Sequence, residues 1–140
     1  MKLLLSIKPE YVVKIFAGTK RFEYRRAIHI DRSVSTVAVY ATQPVGLLVG
    51  EFDVAEILRM PPADLWDATH EYGGVERSFF DAYFAGRAFG FAMRVGAIRP
   101  FDPPIEPGSV IPSFTPPQSY MYVGDDLGRI AGDDRQLALL

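Results

Sequence analysis

Apolar positions along the chain switch between two periods, and the switches mark the elements. Leu3-Leu4-Leu5-Ser6-Ile7 is a short apolar run of strand length. Pro9 suits the first position of a helix, where no backbone donor is needed. Val12, Ile15 and Phe16 then recur at helical spacing, Glu10 and Lys14 can pair on the wet face, and Gly18 suits a left-handed cap. From Lys20 to Arg26 the period becomes two: Phe22 and Tyr24 alternate with Arg21, Glu23 and Arg25, which predicts a strand with one buried face. Residues 27–35 are polar and read as a loop. Strands are predicted over Val37–Thr42 and Leu47–Leu58, joined by a turn at Gln43-Pro44-Val45-Gly46, with Gly50 marking a bulge or bend.

Pro61-Pro62 stops the long strand. Helices are predicted over Ala63–Tyr72, ended by Gly73-Gly74, and over Glu76–Phe84, closed by Gly86. The second carries Phe79, Phe80, Tyr83 and Phe84, read as a core-facing stripe before a base-stacking platform. Arg87–Ile98 returns to strand alternation. Residues 101–107 contain three prolines and read as an extended linker. Tyr120–Val123 is the last strand. Gly124–Leu140 is acidic and is expected to be a loosely held tail or a segment docking on a partner subunit, ending in a short apolar helix over Arg135–Leu140. About six strands with peripheral helices predict a mainly β, α+β fold, a small mixed β-barrel, rather than a doubly wound parallel sheet.

Composition narrows the class. With 140 residues and 49% hydrophobic content the chain makes one domain with a real core. The net charge of −2 is not that of a protein coating long duplexes, so any nucleic-acid contact should be local. Positive charge is indeed concentrated early: residues 1–26 hold Lys2, Lys8, Lys14, Lys20, Arg21, Arg25 and Arg26 against Glu10 and Glu23. Cysteine is absent, which excludes disulfides and thiolate chemistry, and His29 and His70 have no ligand spacing around them, so neither a metal nor another cofactor is expected. The apolar start meets charge at Lys8, too soon for a signal sequence or a membrane span; a cytoplasmic protein without a membrane partner is expected.

The stretch Gly18-x-Lys20-x-x-Glu23-x-Arg25, after a strand and a helix, resembles the signature of the ASCH domain, a branch of the PUA-like superfamily of small RNA-associated β-barrels. Residues 37–42, 49–52 and 111–119 look like later parts of the same domain, so the resemblance covers 1–123, with 124–140 as an added tail. It implies RNA, a nucleotide or a modified nucleoside as ligand. Some ASCH-like proteins are amidohydrolases on acylated cytidine and others resemble ribonucleases. The amidohydrolase branch has threonine where this chain has Glu23, so the chain departs from it at a proposed nucleophile.

The candidate chemistry follows from residue types. Lys20 acts as a base or nucleophile only if burial and the neighbouring arginines lower its pKa; otherwise it is an exposed turn lysine. Glu23 can orient Lys20, accept from a base edge or take a proton. Arg25 and Arg26 suit a phosphate or carboxylate. Ser6 and Lys8 sit at a helix start, which favours an anion. Tyr40, Thr42 and Glu51 are candidates for the same mouth, Tyr40 also for acid–base work with Lys20 and Glu23; Glu51 also reads as a solvated strand charge. Gln118 and Ser119 follow a rigid diproline. Tyr11, Tyr24 and Tyr40 are candidate stackers. Three functions fit: a nucleotide- or RNA-binding module, a metal-independent ribonuclease or nucleoside amidohydrolase, and a regulatory scaffold with a homodimer contact.

Overall fold

A computed structural model describes residues 1–28, 34–118 and 120–127. His29, Ser119 and the tail segment Arg135–Leu140 lie outside the described residues. The elements in chain order are β1 (Lys2–Ile7), α1 (Pro9–Ala17), β2 (Phe22–Arg25), β3 (Thr36–Ala41), β4 (Leu47–Met60), α2 (Pro62–Thr69), α3 (Arg77–Tyr83), β5 (Gly90–Ile105) and β6 (Tyr120–Val123). Short 3-10 turns follow α2 at His70–Tyr72 and β5 at Pro107–Ser109.

Local chemistry accounts for most of these boundaries. Pro9 opens α1, and Gly18 closes it at φ 82°, a left-handed conformation that costs glycine little. The amides of Gly18, Thr19 and Lys20 satisfy the carbonyls of Ile15 and Lys14. Val12 and Ile15 are the buried side of α1, and burying Ile15 completely contributes about 2–3 kcal/mol.

The six strands form one sheet in the order β2-β5-β4-β3-β1-β6. β1 pairs in parallel with β3, and α1 and β2 lie between them in sequence. The remaining ladders are antiparallel. Val49 bulges out between Gly50, opposite Val39, and Leu48, opposite Tyr40. Gly50 is required there: a Cβ would stand 2.6 Å from the Phe16 ring and 2.7 Å from the Arg99 carbonyl.

Two expectations need correction. The sheet is not closed into a barrel: β2 and β6 are its two ends. The ladder of β6 on β1 covers Lys2 to Leu5, and β2 approaches the far end of β1 through side chains instead of a ladder. Residues 101–105, expected as a linker, belong to β5, because Ile105 pairs back onto Leu48 and is buried there. The prolines at 103 and 104 sit where the register slips between Pro100 and Ile105, so no ladder donor is lost.

Three apolar clusters hold the fold. One lies between α1 and the sheet, around Leu3, Leu5, Ile15, Val37, Phe52 and Met93. The opposite face carries Leu4, Tyr40, Leu48 and Ile105 beneath the segment around Phe114. The third seats α2 and α3 on β2 and β5 through Phe22, Tyr24, Leu65, Phe80 and Phe84. Phe80 and Phe84 of the aromatic stripe are therefore core, whereas Phe79 is 37% exposed.

Candidate functional site

The open interval between β2 and the end of β1 is a cavity of about 360 Å³, lined by Ser6, Lys8, Tyr11, Glu23, Tyr24, Arg25, Arg26, Ala27, Tyr83 and Gln118. That is the lower end of the range for small-molecule sites, room for one nucleotide-sized group. β1 ends into it, α1 starts beside it, and β2 forms one wall. Across it, the Arg25 guanidinium donates to the Ser6 carbonyl at 3.1 Å and pairs with Glu23 at 3.1 Å. The Ser6 hydroxyl donates to the Pro117 carbonyl at 2.7 Å, which ties Gln118 to the rim. The Arg26 guanidinium lies 4.3 Å from the centre of the Tyr83 ring and donates to the Tyr83 carbonyl at 2.8 Å.

Lys20 stands behind this wall. It is 2% exposed and among the largest fully buried side chains. Its ammonium donates to the Gly73 carbonyl at 2.5 Å and lies 4.9 Å from the Tyr24 ring and 5.4 Å from the Tyr11 ring. Burial lowers its pKa from 10.5 to about 8; Glu23 opposes the shift, and Lys14 and Arg25 add to it. Among the described residues Lys20 makes no ion pair with Glu23, so the two act on each other through space. The ammonium fits because Gly73-Gly74 lets the chain pass close. A Cβ on Gly74, at φ +69°, would meet three carbons of the Lys20 stem at 2.8–2.9 Å.

Tyr24 is fixed rather than free. Thr69 spends its hydroxyl proton on the Leu65 carbonyl at 2.6 Å, so the Tyr24 hydroxyl donates to Thr69 at 2.7 Å. Its ring packs edge-on against Phe80 and Phe84. Burial raises the Tyr24 and Tyr83 hydroxyl pKa values, so both are neutral donors near pH 7.

The candidate residues thus divide. Ser6, Lys8, Glu23, Arg25, Arg26 and Gln118 meet at the cavity, with Lys20 behind it. Tyr40, Thr42 and Glu51 are not among its lining residues. Tyr40 is 3% exposed in the opposite core, packed on Phe114 at 5.1 Å, because strand alternation puts Val37, Val39 and Ala41 on the α1 side and turns Ala38 and Tyr40 under the 107–118 segment. Thr42 begins the β3–β4 turn, its amide on the Ile7 carbonyl. Glu51 is held by Lys2 at 2.7 Å and Arg99 at 2.9 Å; Arg99 also clamps Asp53 and holds that carboxyl below its usual range. This is a structural ion network rather than a solvated charge.

Sequence reasoning missed Tyr83 and Gly73-Gly74. A tyrosine within an otherwise phenylalanine stripe was the signal for the first. The glycine pair read only as a helix stop.

The ASCH domain profile matches residues 5–94. The chain belongs to the ASCH domain family. A relative described as an ASCH domain-containing ribonuclease, from Zymomonas mobilis subsp. mobilis, is 27% identical over 123 residues, 86% of this chain and 82% of its own. The crystal structure of ASCH from Zymomonas mobilis superposes with a TM-score of 0.82 at 23% identity, covering 99% of this chain and 94% of that one. A serine-to-alanine variant of that protein gives 0.83 at 22% identity, covering 99% and 95%. The ASCH motif now has a physical division of labour: Gly18 caps α1, Lys20 is buried behind the cavity, and Glu23 and Arg25 form its wall. No helix among the described residues is long and apolar enough to cross a membrane.

Proposed function

We propose that the cavity between β1 and β2 binds a nucleotide of single-stranded RNA. The observation that carries this is its lining: Lys8, Arg25 and Arg26 supply cationic donors, Tyr11 and Tyr83 supply aromatic faces, and Glu23 is the one carboxylate among them. Phosphate suits the guanidiniums, while Glu23 and Gln118 can read a base edge or the ribose 2′-hydroxyl. The net charge of −2 fits a contact confined to this patch.

A second reading is favoured by the ribonuclease relative and by the placement of Glu23: cleavage of the RNA backbone at the same site. In it the ribose 2′-hydroxyl attacks the adjoining phosphorus and Glu23 takes its proton. The bond to the next nucleotide's 5′-oxygen breaks, and that oxygen is protonated from solvent. The products are a 2′,3′-cyclic phosphate and a 5′-hydroxyl. Arg25 holds the phosphate, and the Lys20 ammonium behind Glu23 favours the negative charge that develops in front of it.

The test uses fluorescently labelled, unstructured RNA with and without chelator. Arg25→Gln should weaken binding about tenfold or more, the cost of a charge-assisted contact. Glu23→Gln should retain binding and lower any cleavage about 100-fold or more. Equal affinity of wild type and Arg25→Gln would overturn the binding site. Absence of cleavage by the wild type would remove the cleavage reading and leave binding, and cleavage untouched by Glu23→Gln would remove Glu23 as the group that takes the proton.

A further inference from the structure

The cavity wall continues across the sheet. Arg25 of β2 lies directly opposite Phe91 of β5, and Phe91 lies directly opposite Arg59 of β4. Directly paired residues share a face, with about 5 Å between neighbours, so Arg25, Phe91 and Arg59 form one transverse row about 10 Å long. Its first member lines the cavity. Its last is an exposed arginine whose guanidinium carbon lies over the Phe89 ring, 3.7 Å from its centre. Phe89 is itself 39% exposed, and Ile57, two residues along β4 on the same face as Arg59, is 41% exposed.

Arg59 differs from the other arginines of these strands. Arg94 pairs with Glu56 and Arg99 with Glu51 and Asp53. Among the described residues Arg59 pairs with no carboxylate and makes no hydrogen bond; its contact is the Phe89 ring. A guanidinium held by stacking keeps its edge donors aligned and unspent, at a smaller ordering cost when an anion arrives. An exposed aromatic and a planar cation side by side also offer a face on which an unstacked base can lie.

We infer that Arg59 and Phe89 form a second nucleotide subsite, which takes the phosphate and base of the nucleotide adjoining the one in the cavity. The inference rests on the nucleotide reading of that cavity and narrows it: the ligand is an RNA chain rather than a lone nucleoside. The strand would run from β2 across β5 to β4 along the Arg25-Phe91-Arg59 row.

The experiment compares two probes, a mixed-sequence unstructured RNA hexamer and the four nucleoside monophosphates, over a range of salt. Arg59→Gln should weaken the hexamer about tenfold and lower its salt slope by about 0.7, one phosphate's worth on a single strand. It should leave monophosphate affinity within about twofold. Arg59→Lys keeps the charge but loses the stacked plane, so it should recover the salt slope and only part of the affinity. Arg94→Gln removes the same charge from the opposite face and should leave the hexamer within about twofold. Arg59 is exposed, and unchanged melting of its variants checks the fold. The subsite is overturned if Arg59→Gln binds the hexamer as Arg94→Gln does, or if it loses the monophosphates in parallel with the hexamer. If Arg25→Gln loses both probes while Arg59→Gln loses neither, only the subsite falls. If wild type binds neither probe, the cavity reading and the subsite fall together.

Discussion

Replacing Lys20 by methionine tests the central feature of the site. Lys20 is 2% exposed, and burial lowers the pKa of its ammonium from 10.5 to about 8. The unfolded chain therefore binds a proton between pH 8 and 10.5 that the folded chain does not. More protons on the unfolded state mean that stability rises with pH across this window. Below pH 8 both states carry the charge, and the folded protein bears the full cost of burying it. The full shift corresponds to about 3 kcal/mol, of which about 2 kcal/mol is recovered between pH 7 and pH 10. For 140 residues that is a rise of about 7 °C in melting temperature. The buried tyrosines act in the opposite sense. Tyr24 and Tyr83 have raised pKa values, so the folded state holds their protons longer and stability falls above about pH 10. Wild-type stability should thus climb from pH 8, peak near pH 10 and fall beyond it. Lys20→Met should lack the climb and keep the fall. Denaturant midpoints at half-unit pH steps read both. Parallel profiles for the two proteins from pH 7 to 10 would refute the claim that Lys20 is desolvated in the folded state.

Two glycine substitutions test the packing around this lysine and under α1. Gly18 and Gly74 both have positive φ, yet a Cβ on Gly18 meets nothing within 4 Å whereas one on Gly74 meets the Lys20 stem. Gly18→Ala should cost about 1–2 kcal/mol from the left-handed backbone alone, and Gly74→Ala about 1–3 kcal/mol more, by urea unfolding. Equal losses would mean that Lys20 does not lie against Gly74. Gly50→Ala should cost about 3 kcal/mol, since its methyl group meets both the Phe16 ring and the rigid Arg99 carbonyl. An unchanged urea midpoint would be incompatible with the β4–β5 register and with the seat of α1.

How much of this was legible in the chain differs by level. A continuous apolar run marked β1, β-branched residues marked β3, periods of two and of three to four residues marked α1, β2 and β4, and the glycines at 18 and 50 marked the cap and the bulge. These features depend on neighbours a few residues away, so local pattern is enough to carry them. The same pattern put Glu23 and Arg25 on the face of β2 opposite Phe22 and Tyr24, which is where the cavity wall stands. Tyr40 and Glu51 were indistinguishable from site residues by type. Their fates depend on Phe114 and on Lys2 and Arg99, partners that folding alone brings near.

Local sequence by itself determined the elements from β1 to β4, the cluster of positive charge near the start and the grouping of Gly18, Lys20, Glu23 and Arg25. Tertiary structure alone decided that the sheet stays open, that the opening becomes the cavity, and that Lys20 is buried. The physical reason is the range of the interactions. Turning a backbone needs only the next few residues. Desolvating an ammonium requires the Gly73 carbonyl, 53 residues away, to be delivered to it by the packing of α2 and the turn that follows.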